Sequence, residues 1–154
     1  MKKFILVICL VAVSVFGSGI KLLDDNASDL AYQLPLKKYP QFLCEATLEN
    51  GKVVQFVSVK AMMQVYFHQE YFIKHKFLET KIKDIYIQDY LNGTKKDAKR
   101  SVYVFGSHVA GPHGDDLIPF KDNYSANLFK LKYGGTRVMP FEKVTIGLIR
   151  YLDM

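Results

Sequence analysis

The chain has 154 residues, with 21 lysines and arginines against 15 aspartates and glutamates, which gives a formal net charge of +6. Its length suits one domain with a hydrophobic core of its own. The positive charge is mild and lies in short clusters between acids and aromatics, as on a solvated surface, so the composition argues against a nucleic-acid-binding protein.

The N-terminus has the layout of a secretory signal peptide. Lys2 and Lys3 precede the apolar residues 4–16, and small residues follow at positions 17–19. The apolar stretch is shorter than the roughly 20 residues of a membrane-spanning helix. We therefore predict a signal peptide over residues 1–19 and a periplasmic or otherwise exported protein. An uncleaved N-terminal membrane anchor is the alternative.

The chain has two cysteines, and Cys9 falls within the predicted signal peptide. Removal of that segment would leave Cys44 alone, without a partner for an intramolecular disulfide. A lone thiol in an oxidising compartment is buried, paired with another chain, or a soft metal ligand. Cys44 alternates in phase with Phe42 and Ala46, which favours a buried, inert thiol.

The first half of the chain predicts two strands, a helix and a third strand. Residues 20–38 are polar and irregular and predict a loose lead-in that packs only at its end. The run "QFLCEATL" alternates as a strand with one buried face, the pair Asn50-Gly51 predicts a hairpin turn, and "VVQFVSV" is the returning strand. Ser58 can cap a helix with the body "KAMMQVYFHQEYF", and "IKDIYIQDYL" predicts the third strand.

The same order recurs after the linker "TKKDAK". The strands are "RSVYVFGS", "DLIPF" and "TRVMPF", the helix "KDNYSANLFKLKYGG" is capped by Asp122 or Asn123, and "EKVTIGLIRYL" is a terminal helix. The repeated order predicts an α+β fold of two tandem ββαβ-like units. Their antiparallel strands form one compact body at residues 39–154, with halves at about 39–93 and 97–154.

The loop "HVAGPHGDD", residues 108–116, is the main candidate for a site. Gly, Pro and Asp serve the backbone of any tight turn, so an ordinary hairpin loop is one interpretation. A metal loop is the other, because imidazole suits copper and zinc and thioether sulfur suits Cu(I). His113 would be the principal ligand at the apex, assisted by Asp115 or His108. Met62 is a more distant soft donor, but its place on the apolar face of the helix favours a core role.

The sequence does not predict an enzyme. It contains no nucleophile elbow, no phosphate-binding loop and no zinc-protease motif. Asp115 and Asp116 are neighbours, so in an extended segment their side chains would point to opposite faces and would not form an acid/base pair.

The second half resembles the NosL family of copper-binding accessory proteins for the assembly of nitrous oxide reductase. The residues that carry this resemblance lie between positions 97 and 145: Asp97-Ala98, Tyr103-Val104, Gly106-Ser107, Gly111-Pro112, Gly114, Leu117-Ile118-Pro119-Phe120, Ala126, Phe129, Gly134-Gly135 and Val144-Thr145. The first-half run "KYPQFLCEATLENGKVVQFVSVKAMMQVYF" is similar to the family pattern as well, so the resemblance covers roughly residues 29–146. It implies a fold of two ββαβ-type units, copper as the bound ion, and a client metalloenzyme or assembly protein as the partner.

The chain also departs from the family pattern. The family's Cys-x-x-Cys-Gly-Met motif falls on "DLAYQLPLKKYP", which contains neither cysteine nor methionine, and the lipidated cysteine is absent. His113 stands where the family has a copper-binding methionine, and Asp115 stands at a nearby histidine position. Two hypotheses follow: an exported protein that handles copper for metalloenzyme maturation, or a non-metal scaffold of the cell envelope that retains only the fold. Whether the chain forms a homodimer stays open.

Overall fold

The computed structural model describes residues 18–154, so the predicted signal peptide lies outside the described residues apart from Ser18 and Gly19. Over residues 18–154, the helices are all too short or too polar to traverse a lipid bilayer. The chain forms seven β-strands, β1–β7, and four α-helices, α1–α4, in this described range.

The first unit is a four-stranded antiparallel sheet with two short helices. The strands lie in the order β2-β1-β3-β4. In chain order, its elements are β1 (Cys44–Leu48), β2 (Val53–Phe56), α1 (Val59–Phe67), α2 (Gln69–Lys74), β3 (Ile82–Gln88) and β4 (Lys95–Asp97).

The second unit is a three-stranded antiparallel sheet with the order β6-β5-β7, followed by a terminal helix. Its elements are β5 (Val102–Phe105), β6 (Ile118–Phe120), α3 (Asn123–Tyr133), β7 (Arg137–Pro140) and α4 (Ile146–Leu152). In both units the first strand lies between its hairpin partner and the strand that follows the helix. The α+β fold of two ββαβ units is therefore confirmed.

Side-chain caps explain where the longer helices begin. The Ser58 hydroxyl accepts a hydrogen bond from the Ala61 amide at the start of α1, as predicted. At the start of α3 the cap is Asp122, which accepts from the Ser125 amide at 2.8 Å, and not Asn123. Each cap satisfies an amide that has no partner within its helix.

The main hydrophobic core lies between the first sheet, α1 and α4. It includes Cys44 and Met62, both fully buried. The prediction of a buried thiol is thus confirmed, and burial raises the pKa of Cys44 well above its ordinary value. A smaller core cluster lies mostly in the second unit, with Val104, Phe120 and Phe129, and includes Phe42 from the first half of the chain.

Three details differ from the sequence-based expectations. Residues 20–38 pack along much of their length, because Ile20 and Asp29 are buried and Ser28 pairs with Pro35, so the prediction of packing only at the end is wrong. The predicted single helix is divided in two at His68. The linker "TKKDAK" contains β4, which pairs with the end of β3 although its side chains are mostly polar.

Candidate functional site

The loop between β5 and β6 holds His113 at the tip of a tight turn. The Gly111 amide donates to the Gly114 carbonyl at 2.7 Å and closes the turn. Gly114 has a φ of 78°, in the left-handed region where glycine avoids a steric penalty. The turn therefore fixes the backbone of His113, as the Gly-Pro-x-Gly sequence predicts.

Asp116, at the end of this loop, connects the loop to the first unit by hydrogen bonds. Its Oδ1 accepts hydrogen bonds from the backbone amides of Lys60, at 2.9 Å, and Leu117, at 2.8 Å. The carboxylate thus reaches the first turn of α1, where amides need acceptors from outside the helix. Asp115 is exposed whereas Asp116 is buried, so the two neighbouring carboxylates lie in different environments.

Burial raises the pKa of Asp116 to about 6, against hydrogen bonds from the Ser58 side chain and the two amides. Among residues 18–154 its Oδ2 has no hydrogen-bond partner and no exposure to water. An unpartnered buried carboxylate oxygen favours the protonated form. The link between the loop and α1 therefore contains a group that titrates near pH 6.

Lys60 lies on the first turn of α1 with its side chain fully buried. Its Nζ donates to the carbonyl oxygens of His113, at 2.7 Å, and Leu152, at 3.0 Å. The same atom lies 3.3 Å from Asp153 Oδ1 and 5.4 Å from the centre of the Tyr32 ring. One ammonium group therefore joins the lead-in, the loop and the C-terminal helix.

The imidazole of His113 is half exposed and lies between an aromatic ring and a carboxylate. It stacks on Tyr32 with ring centres 4.1 Å apart and planes 10° apart. Its Nδ1 lies 3.8 Å from Asp153 Oδ1. Two ligands of one ion, each about 2 Å from it, lie roughly 3–4 Å apart, so this pair has a suitable spacing for a shared metal.

Asp153 is itself held by several donors. Its Oδ1 accepts from the Tyr32 hydroxyl at 2.8 Å, and its Oδ2 accepts from the Gln64 amide at 2.5 Å. Partial burial raises the pKa of Asp153, but the bonds from Tyr32, Lys60 and Gln64 outweigh it and hold the pKa below its ordinary value. In return, burial and the bond to Asp153 raise the pKa of Tyr32. Asp153 is therefore a fixed carboxylate at neutral pH.

These groups line an open cavity of about 370 Å³, which we call the His113 cavity. Its walls are formed by Lys60, His113, Gly114, Asp115, Tyr151, Leu152, Asp153 and Met154. Residues that carry an imidazole, two carboxylates and a thioether thus line one space. Within residues 18–154, no three His, Cys, Asp or Glu side chains converge on one point as a ready-made metal site.

The structure brings together two of the four candidate ligands predicted from the sequence. His113 and Asp115 line the cavity. His108 does not, among the described residues, because its amide bonds to Tyr133 and its ring lies against Gly134. Met62 is fully buried in the core and does not line it either.

The sequence did not identify Tyr32, Lys60, Asp153 and Met154 as members of this site. They are separated from His113 by long stretches of chain, and no short motif links them. One signal was present: Tyr32 lies in "DLAYQLPLKKYP", the stretch that corresponds to the Cys-x-x-Cys-Gly-Met motif of the resembling family.

The chain is similar to known proteins of one family. The family model described as NosL matches residues 20–149. The crystal structure of the copper chaperone NosL from Shewanella denitrificans has a similar fold, with a TM-score of 0.65 and 18% sequence identity over 84% of this chain and 98% of that chain. The solution structure of apo-NosL from Achromobacter cycloclastes gives a TM-score of 0.43 and 19% identity, over 69% of this chain and 87% of that chain. No curated protein sequence matches.

Proposed function

Because this chain belongs to the NosL family, we propose that it is an accessory protein that binds copper as cargo in the His113 cavity and delivers it for the maturation of a metalloenzyme. The observation that carries this proposal is the pair formed by His113 and Asp153, 3.8 Å apart in an open cavity. The fold similarity to a protein described as a copper chaperone supports it.

The available donor atoms suit copper in either oxidation state. An imidazole and carboxylates are ligands that Cu(II) accepts, and the thioether of Met154 is a soft donor for Cu(I). A site with few protein ligands leaves coordination positions open for another molecule. Cargo held by His113 and Asp153, with Asp115 and Met154 at the rim, can therefore be passed to a client protein by ligand exchange.

The proposal includes export from the cytoplasm. The predicted signal peptide at residues 1–19 supports a periplasmic location, with retention as an N-terminal membrane anchor as the alternative. Intact-mass measurement of the protein recovered from its native compartment distinguishes these two outcomes, because cleavage removes about 19 residues.

A copper titration tests the function. We expect the exported chain to bind close to one equivalent of Cu(I) or Cu(II), and His113→Ala to weaken binding at least about tenfold, because the principal ligand is lost. His75→Ala is the matched control, since His75 is exposed, packs against Tyr71 and does not line the His113 cavity. Equal affinities for the wild type and His113→Ala would remove the cavity from the proposal.

A second candidate function is a non-metal scaffold in the cell envelope. The buried Lys60 ammonium favours it, because a fixed positive charge at the cavity floor opposes the entry of a cation. Under this alternative, copper would bind no better to the wild type than to His113→Ala. The cavity would then receive a side chain of a partner protein, and a crosslinker placed at Asp115 would capture that partner without added metal.

A further inference from the structure

We propose that Lys60 sets how tightly the His113 cavity holds a metal cation: its ammonium competes for Asp153 and repels the bound ion, so that copper is released readily to an acceptor. This inference rests on the proposed function and adds a residue that determines affinity. It follows from where one buried charge lies relative to the candidate ligands.

The ammonium of Lys60 occupies a cation position of its own. Two backbone carbonyls, a carboxylate and the face of an aromatic ring surround it: His113 O, Leu152 O, Asp153 Oδ1 and Tyr32. Carbonyl oxygens, carboxylates and aromatic faces are groups that stabilise a positive charge. The cavity floor therefore already holds one cation that is covalently part of the chain.

Any metal that binds Asp153 must share that carboxylate. Asp153 Oδ1 accepts from the Tyr32 hydroxyl at 2.8 Å and lies 3.3 Å from Lys60 Nζ, and Oδ2 accepts from Gln64. A metal on Oδ1 would displace part of this arrangement. The carboxylate charge that would hold the metal is thus partly neutralised before the metal arrives.

Repulsion adds to this competition. A metal bound to Asp153 would lie within about 6 Å of Lys60 Nζ, because metal–carboxylate bonds are about 2 Å long. Two like charges at that distance repel strongly enough, at the effective dielectric constant of protein sites, to lower the affinity at least about tenfold. Salt screens buried charges weakly, so the effect persists at physiological ionic strength.

Lys60 cannot avoid the metal by moving into water. Its side chain has no solvent exposure, whereas the Lys52 side chain is 63% exposed and pairs with Glu79 on the surface. Breaking the contacts of Lys60 would leave the carbonyls of His113 and Leu152 without this donor. The Lys60 side chain is therefore held at the cavity floor by its contacts.

The test compares copper affinity and copper release in neutral variants of Lys60. Lys60→Gln removes the charge and keeps an N–H donor for the carbonyls, and Lys60→Met removes both while keeping much of the volume. Lys52→Gln and Lys52→Met cause the same change in net charge outside the cavity. Affinity is measured by competition with a chelator, and release is measured by transfer of copper to that chelator in stopped flow.

We expect Lys60→Gln to bind copper at least about tenfold more tightly than the wild type and to release it correspondingly more slowly, with both Lys52 variants unchanged. Lys60→Met should change in the same direction if it folds. A purely structural role for Lys60 gives weaker binding, because the loop and Asp153 would lose their fixed positions. Unchanged or weaker binding by folded Lys60→Gln would overturn the inference.

The copper-binding function and the role of Lys60 can fail independently of each other. The copper-binding function fails if the wild type shows no copper binding that depends on His113. The inference about Lys60 still succeeds in that case if Lys60→Gln gains copper binding that the added His113→Ala substitution abolishes. If neither protein binds copper through His113, both proposals fail.

Discussion

The two ββαβ units use the same connection in different ways. In the first unit, the strands β1 and β2 are joined by residues 49–52, a minimal turn around Asn50-Gly51. In the second unit, the equivalent strands β5 and β6 are joined by residues 106–117, which carry His113 and reach across to α1 through Asp116. A hairpin loop can lengthen without disturbing the sheet below it, and the candidate site lies in the longer loop.

The main helices of the two units, α1 and α3, differ in how much of their surface is buried. Helix α1 is buried over most of its length, because the sheet lies on one side and α4 and the long loop lie on others. Helix α3 packs mainly on its own sheet, with Phe129 also against Tyr90, and leaves Tyr124 and Leu131 exposed. The first unit therefore serves as the platform, and the second unit supplies the loop that is fixed to it.

The largest expected loss of stability comes from a substitution on the buried face of α1. Met62→Ala should lower the free energy of unfolding by about 3 kcal/mol, since a fully buried side chain leaves a cavity. Leu131→Ala on α3, where the side chain is 86% exposed, should cost less than about 0.5 kcal/mol. Urea denaturation measures both values.

Met62→Ala also tests the prediction that Met62 is a copper ligand. A core role leaves the copper affinity of the folded fraction unchanged, whereas loss of affinity in a folded variant would restore Met62 as a ligand. Equal destabilisation by Met62→Ala and Leu131→Ala would contradict the contrast between the two helices.

The next largest effect concerns Asp116 and Asp122, the two aspartates that accept hydrogen bonds from backbone amides at the start of α1 and α3. Asp116→Ala leaves the amides of Lys60 and Leu117 without their acceptor, and we expect a loss of about 2 to 3 kcal/mol. Asp122→Ala removes an ordinary local cap from α3 and should cost about 1 kcal/mol. Thermal unfolding at pH 7 measures both. A smaller loss for Asp116→Ala than for Asp122→Ala would mean that the long loop is not fixed to the platform as described.

The raised pKa of Asp116 makes the free energy of unfolding depend on pH. The size of this dependence is similar to the effect of Asp116→Ala. The ordinary pKa is 3.8 and the folded value is about 6, so the folded chain retains a proton that the unfolded chain releases between these pH values. The stability due to this proton is present below about pH 4 and is lost as the pH rises to about 6, on the order of 3 kcal/mol in total.

Asp116→Asn cannot titrate and serves as the reference. The free energy of unfolding of the wild type, measured relative to Asp116→Asn, should fall between about pH 4 and pH 6 and stay level above pH 7. The same experiment with Asp122→Asn should show no such fall, because the pKa of Asp122 is lowered by its bonds to Ser125. A difference that is level across the whole range would show that Asp116 is ionised throughout.

The smallest expected effect on stability comes from alanine substitutions of the glycines in the two hairpin loops. Gly51 and Gly114 both have φ near 80° and open space where a Cβ would lie, so an alanine at either position should cost about 1 kcal/mol through backbone strain alone. Only Gly114→Ala should also weaken copper binding, because it shifts His113. Thermal unfolding and copper titration of the two variants give both results, and a copper effect from Gly51→Ala would contradict the assignment of the loop.

Much of the fold was predictable because local patterns agree with it. Alternation marks β1, the caps Ser58 and Asp122 mark the helices, and the repeated order of elements indicates two units. The prediction failed where tertiary packing decides the outcome. Strand β4 has the sequence "KKD", which has no apolar alternation, and it is a strand only because the edge of β3 offers hydrogen-bond partners.

The site was predictable only at its centre. The loop shows His113 as an accessible imidazole because glycines and a proline surround it in sequence. Its partners come from the lead-in, from α1 and from the end of α4, and only the fold brings them together. Lys60 gives no sequence signal at all, because a lysine in the first turn of a helix is normally solvated and here it is fully buried.

The position of Asp153 and Met154 at the rim of the His113 cavity affects how the protein should be handled. Any chain attached after Met154 leaves the fold beside the candidate ligands. A polyhistidine tag placed there would bring several imidazoles within reach of bound copper and could imitate or mask the native site. A handle inserted next to Ser18 would instead enter the fold where the Ser18 carbonyl accepts from the Lys95 amide, among residues that do not line the cavity.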